Sequence, residues 1–284
     1  MRESRPEHWQ RFWEEAQDLD LDDVYGTDGR MVREALALGD PAGRRILEVG
    51  AGTGRDAVAL ARAGAEVVTL DYVAGSLGLT RKVAGHAGVA AQLVCGDALG
   101  MPFADESFDV VFHQGLLEHF RAPQPLLREN ARVLRPGGHL VVDVPQTFHY
   151  YTLGKQALIA AGRWFAGWET QFTIGRLEGL VCDAGLVPVR SYGDWMVPGL
   201  WYRALRKVLL TRTGARLPMR PDPVPPLGRL AARARRSFGR TRLALYIMPT
   251  IGVVGRKGPG AAGDESGPAS SREAGPPSSR AGTL

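Results

Sequence analysis

The run Ile46-Leu-Glu-Val-Gly-Ala-Gly-Thr-Gly54 constrains this chain more than any other feature. An apolar, β-branched segment breaks into glycines at alternate positions, and residues 55–62 then carry a helical pattern. A strand that turns so abruptly into a helix brings bare backbone N–H groups and a helix N-terminus close to a ligand. Several nucleotide-binding folds use such a turn, so its meaning depends on the residues C-terminal to it.

Those residues alternate between strand and helix patterns. Residues 1–40 form a helical lead-in, with Trp9, Phe12, Trp13 and Ala16 at the spacing of one helix face. After a turn at residues 40–43, strands are expected at 45–49, 66–70, 91–95, 108–113 and 139–144, with helical segments between them. One of these is a helix over 125–134, stopped by Arg135-Pro-Gly-Gly138. Thr173 is placed to cap a helix ending at Ala184, with Gly185 as its left-handed stop. A sixth strand is expected over 186–192 and a last one over 246–256. This pattern predicts an α/β fold: a doubly wound, mostly parallel seven-stranded sheet with a helical insertion before the last strand. The divisions are a lead-in at 1–40, a core at 41–194, an insertion at 195–247, the last strand at 248–257 and a tail at 258–284. The tail is mostly Gly, Pro, Ser and Ala with scattered charge and no aromatic residue, and disorder is expected there.

Four polar sites fall at the carboxyl ends of successive strands, the edge where open α/β sheets bind ligands. Strand one gives Glu48 and the Gly50/Gly52/Gly54 turn. Strand two ends at Asp71, able to accept from ribose hydroxyls. Strand three gives Asp97 and Ala98, suited to an adenine amine and ring. Strand four gives His113-Gln114-Gly115, then Leu117-Glu-His119. A dinucleotide-binding dehydrogenase would need glycine where Arg55 stands, and would not predict the Gly96-Asp97-Ala98 or Arg135-Pro-Gly-Gly138 strings.

These residues, with Arg132-Val-Leu-Arg-Pro-Gly-Gly-His-Leu140, resemble the class I S-adenosylmethionine-dependent methyltransferases, strongly over residues 40–150 and more weakly over 170–192. The resemblance implies a Rossmann-like methyltransferase fold and S-adenosylmethionine as cofactor. The cofactor set it implies is Glu48, Gly50, Ala51, Gly52, Gly54, Asp71, Tyr72, Asp97, Ala98, His113 and Gln114. Gly50 and Gly52 would border the methionine moiety, Asp71 the ribose and Asp97 the adenine amine. Tyr25 lies where related enzymes close a lead-in helix over the cofactor. Some relatives hold a metal through Glu-x-x-Glu-His after strand four; here the first position is Gly115, and no metal is expected.

Methyl transfer from a sulfonium is an in-line displacement that mainly requires alignment and exclusion of water. For a hydroxyl acceptor, His119 and His149 are the candidate bases. The acceptor is expected to be a small molecule, sugar or lipid-linked compound, methylated at O or N. The alternatives are an RNA or protein methyltransferase and a noncatalytic scaffold that keeps the fold.

The net charge of +5 is unevenly spread: residues 195–247 carry +11 and the remainder −6. Two amphipathic helices are expected there. In one, Trp201, Leu205, Val208 and Leu209 share a face. In the other, Leu227, Leu230, Ala231, Ala234 and Phe238 oppose Arg229, Arg233, Arg236 and Arg240. Such helices allow three readings: contact with anionic membrane through 199–240, nucleic-acid binding, or a packed cap with a solvated basic face. The scarcity of stacking aromatics counts against single-stranded RNA. Residues 1–20 contain no apolar signal core and no run is long enough to span a bilayer. Cys95 and Cys182 lack metal spacing and read as buried free thiols. The chain is therefore expected to be cytoplasmic, with peripheral contact at the inner membrane face.

Because the tail offers no core residues, a chain ending at Lys257 is expected to melt within about two degrees of the full chain. Differential scanning calorimetry on both would show a larger drop if the tail contributes to stability.

Overall fold

The computed structural model describes residues 6–15, 29–195, 198–218 and 225–259. At its centre is a seven-stranded sheet of β1 (Arg45–Val49), β2 (Glu66–Asp71), β3 (Gln92–Cys95), β4 (Phe108–Gln114), β5 (Leu134–Pro145), β6 (Leu186–Asp194) and β7 (Thr250–Lys257). The order is β3-β2-β1-β4-β5-β7-β6. Strands β1 to β5 pair in parallel, and β7 runs antiparallel between β5 and β6. The winding direction switches between adjacent β1 and β4, which opens a crevice at their carboxyl ends.

The helices are α1 (Pro6–Glu15), α2 (Arg30–Leu36), α3 (Arg55–Arg62), α4 (Ala74–Ala87), α5 (Gln124–Val133), α6 (Tyr150–Ala160), α7 (Ile174–Asp183), α8 (Leu200–Thr213), α9 (Pro225–Gly239) and α10 (Ala244–Ile247). Successive strand residues point to opposite faces, so the apolar run of a central strand serves two cores at once. Leu47, Val49 and Val111 join Leu126 and Leu127 of α5 and Leu177 of α7 in one core. Ile46, Val110 and Phe112 join Met31 of α2 and Leu60 of α3 in the other. The seven-stranded sheet and the two insertion helices agree with the sequence reading.

Three local readings are corrected. Arg135-Pro-Gly-Gly138 does not stand outside the sheet, because β5 already begins at Leu134. Leu134 pairs with Phe108 and His139 with Val110, so the four residues bulge out of an interrupted ladder. The last strand begins at Thr250, not 246, because Ala244 and Leu245 are buried in the short helix α10. Cys95 and Cys182 are free but exposed, on the edge strand β3 and the outer side of α7.

A buried ion pair ties α2 to the sheet. Arg30, in the first turn of α2, directs Nε onto Oδ2 of Asp143 in β5. Asp194 Oδ2 lies 3.6 Å from Arg30 Nη1 and 2.9 Å from Arg33 Nη2. Burial pushes the Asp143 carboxyl up to about 6, although Arg30 opposes this. Removing one partner of such a pair leaves an uncompensated buried charge. Arg30→Met is therefore expected to cost about 3–5 kcal/mol near neutrality. The carboxyl's folded pKa lies above its unfolded value, so its ionised form weighs against folding as pH rises through about 6, and protonation relieves this below. The variant's deficit should thus shrink in acid. Without Arg30 the carboxyl moves higher still, so urea melts of both proteins from acid to mildly alkaline pH check this; a deficit equal throughout would show that Asp143 is not the charge left unpaired.

Candidate active site

The turn after β1 holds Gly50, Gly52 and Gly54 at φ of 65°, 55° and 62°. Such values are strained for any residue with a Cβ, and space forbids one at two of the three positions. A Cβ on Gly50 would lie 2.9 Å from Leu116 Cδ1, and one on Gly54 would lie 2.3 Å from Thr80 Cγ2. The N–H groups of Gly50 and Ala51 both donate to Leu70 O, at 2.8 and 3.2 Å, which ties the loop to the end of β2. Next to it Asp71 Oδ2 accepts from Gly52 N at 2.8 Å and Oδ1 from Val73 N at 2.9 Å. Burial raises the Asp71 carboxyl, and those N–H groups pull it back. Each oxygen retains a lone pair for a further donor. Below the loop, Glu48 accepts from Ala57 N at 3.0 Å. Burial, reinforced by Asp56, raises it well above the usual carboxylate range.

A cavity of about 690 Å³ opens beside this loop. Gly50, Asp71, Tyr72, Asp97, Ala98 and Gln114 line one end. Asp97 is exposed, and its Oδ1 accepts from Leu99 N at 2.9 Å. Glu48 and Ala51 border a small adjoining recess with Gln114. Gly52 and Gly54 shape the loop without lining the cavity. His113 lies buried in β4, away from it, with neither ring nitrogen hydrogen-bonded to protein; burial pushes it down to about 3.

The other end is walled by aromatic rings. Helix α1 lies across it: Trp9 meets His119 edge-on at 4.6 Å, and Phe12 stacks on Phe165 at 5.1 Å. Trp13 is buried against Val73 and Leu79, which fastens the helix in place. Helix α1 of the lead-in thus lines the cavity; Tyr25 lies outside the described residues. Of the two histidines named as bases, His119 lines the cavity, and burial pushes it down to about 3, leaving a neutral and weakly basic imidazole. His149 does not reach the cavity. It caps α6, its Nδ1 accepting from Tyr151 N at 3.2 Å.

Three further ionisable residues line the cavity, Glu118, Lys155 and Glu169; the sequence shows Glu118 only as a neighbour of His119 in the strand-four string and gives none of the three a role. All are buried. Lys155 pairs with Glu169 Oε2, and Trp164 Nε1 donates to Glu169 Oε1 at 2.8 Å. Lys155 as the single charged residue of the stretch 150–160 was the one available signal for that side chain. Among the described residues no group of three or more His, Cys, Asp or Glu side chains is arranged to hold a metal.

The geometry fits an adenosyl cofactor. A glycine loop with no room for a Cβ, a buried acid beside it and an acid at the next strand end open on one cavity of suitable volume. Residues 47–142 match the methyltransferase domain family. A demethylmenaquinone methyltransferase of Renibacterium salmoninarum is 42% identical over 106 residues, which is 37% of this chain and 43% of that one. The chain thus spans less than half the length of that relative. Among solved structures, a Galdieria sulphuraria protein described as a candidate sarcosine dimethylglycine methyltransferase superposes with a TM-score of 0.58 at 20% identity. That match covers 81% of this chain and 85% of the other. The [4+2]-cyclase SpnF gives a TM-score of 0.57 at 21% identity, covering 82% of each chain. Both structures share the fold. The match over residues 47–142 supports the resemblance of this chain to the class I S-adenosylmethionine-dependent methyltransferases.

Proposed function

We propose that this chain transfers the methyl group of S-adenosylmethionine to a small-molecule or lipid-linked acceptor at O or N. The observation that carries this reading is the continuous cavity, with cofactor-type acids at one end and an aromatic chamber under α1 at the other. Gly50, Asp71, Asp97 and Ala98 would hold the cofactor, which when bound supplies a methyl already activated on sulfur. The chain's own part is to orient the acceptor against it and keep out water, a task suited to the rings of Trp9, Phe12, Trp164 and Phe165. The named activity of the Renibacterium relative, on a quinone-type acceptor, supports a small-molecule substrate.

Asp71→Ala removes a charge-assisted hydrogen bond and is expected to weaken S-adenosylmethionine binding by about 10- to 150-fold. Calorimetric titration of both proteins, with folding monitored by circular dichroism, reads this directly. Equal affinities would remove Asp71 from the site.

The insertion supports a membrane-proximal acceptor. A packed cap would bury its apolar face, yet that face is open: Trp201 is 86% exposed, Leu227 62% and Leu230 63%. Arg229, Arg233 and Arg236 are exposed on the same helix as the two leucines. Apolar side chains flanked by arginine suit an anionic lipid surface, where each cation contributes about 1 kcal/mol. Among the described residues no helix is long and apolar enough to cross a membrane, so the proposed contact is peripheral. At low salt the wild type should float with phosphatidylglycerol vesicles, and the triple variant Arg229→Gln, Arg233→Gln, Arg236→Gln should stay behind. Equal flotation of the two, or none of the wild type, would leave the insertion as a plain cap. Strong salt-dependent RNA binding would favour the polymer-methylating alternative instead.

A further inference from the structure

The aromatic chamber ends in three buried ionisable groups brought from three parts of the chain. Glu118 comes from the short turn Leu117–His119 after β4, Lys155 from α6 and Glu169 from the segment between α6 and α7. The turn and that segment are joined by Thr170 N donating to Glu118 O at 2.6 Å and Thr170 Oγ1 donating to Phe120 O at 2.7 Å. Lys155 and Glu169 form an ion pair, and Trp164 donates to the second Glu169 oxygen. Glu118 is different: it is 4% exposed, it lines the cavity, and its Oε2 is buried with no hydrogen-bond partner in the protein. An unpartnered carboxyl oxygen is costly to bury, and such a group in a cavity is suited to a ligand donor.

We infer that Glu118 is the proton acceptor for the reaction, and that the acceptor molecule is an uncharged aromatic carrying a hydroxyl group. This rests on the methyltransferase reading above and names the substrate class of the same site. The aromatic walls select the ring system. Charge selects the hydroxyl: with Lys155 already paired to Glu169, an ionised Glu118 makes the floor net negative, which repels a carboxylate acceptor. A carboxylate that takes up a proton serves a weakly acidic hydroxyl, whose oxygen becomes nucleophilic as the proton leaves. In the step, the hydroxyl proton passes to the Glu118 carboxylate. The acceptor oxygen's electron pair forms the new C–O bond as the C–S pair returns to sulfur. Neutral thioether, methyl ether and protonated Glu118 account for every atom and charge.

Glu118 is pushed up to about 8, first by burial and then by Glu169, with a small contribution from Asp143 of β5; Lys155 opposes them. The neighbouring His119 stays neutral. Only the ionised form accepts a proton, so methyl transfer should rise with pH toward about 8 and then level off.

Three proteins, wild type, Glu118→Gln and Glu118→Asp, are titrated with S-adenosylhomocysteine. The complexes are then titrated with 2-naphthol and 2-naphthoate, and methyl transfer to 2-naphthol is measured across pH. All three should bind S-adenosylhomocysteine within about twofold, and above pH 8, where Glu118 is ionised, the wild type should bind naphthol at least about tenfold more tightly than naphthoate. Glu118→Gln should lose at least about a hundredfold in transfer together with its pH dependence, and Glu118→Asp should recover part of both. The proposal is overturned if naphthoate binds as well as naphthol, if wild type binds or methylates no naphthol, or if the Gln variant keeps the wild-type rate and pH rise. Failure of the wild type to bind S-adenosylhomocysteine would instead strike the methyltransferase reading.

Discussion

Two backbone N–H groups, those of Gly52 and Val73, close on the carboxylate of Asp71, and the candidate site is organised around that grip. It joins the loop after β1 to the turn after β2, across the strand pair in which Val49 faces Leu70. The loop can make this approach only because its glycines adopt left-handed backbone and carry no side chain into Leu116 or Thr80. The grip also fixes the direction in which α3 leaves the sheet, since Gly54 is that helix's N-cap. A buried carboxylate held by two N–H groups is pre-oriented, so little ordering is left to a ligand's own hydrogen bonds.

From that anchor the cavity changes character in a useful direction. Polar groups cluster near the strand ends, and aromatic rings take over toward α1. Closure by Trp9, Phe12 and Phe165 lowers the local polarity, which strengthens each remaining electrostatic interaction. The same closure makes Glu118 hard to ionise and His119 hard to protonate. Burial acts oppositely on an acid and on a base, so one dry chamber yields a carboxyl poised near neutrality and a histidine that stays uncharged.

The parallel core was legible because its signals are local: β-branched runs, glycines at turn positions, and acids at strand ends. Asp71, Asp97, Gly50 and Gln114 were found by their order along the chain, and the sheet register brings them to one edge. The misreadings share a cause. Arg135-Pro-Gly-Gly138 looks like a terminator locally, and only its pairing around Phe108 and Val110 makes it part of a strand. Cys95 sits in a strand, but on the sheet's edge, a fact that strand order decides. His149 has the chemistry of a base, yet its ring is occupied in capping α6. That Glu118, Lys155 and Glu169 meet is not legible because no spacing connects them; packing of α6 and the segment after it brings them together.

The buried ion pair and the candidate base are connected through Asp143 of β5. Arg30 clamps the side chain of Asp143, while the Asp143 carbonyl accepts from Gly115 N at 3.4 Å, the residue that begins the turn to Glu118. The Asp143 carboxyl in turn adds to the charge felt by Glu118. Position and protonation at the chamber floor are therefore linked to α2 on the opposite side of the sheet. A helix that contributes no group to the cavity lining nevertheless helps to set where the Glu118 turn stands and how much negative charge surrounds it. This gives the charged contacts of α2 a role beyond stability, because an apolar replacement for the Arg30–Asp143 pair would remove a charge that Glu118 feels through the protein interior.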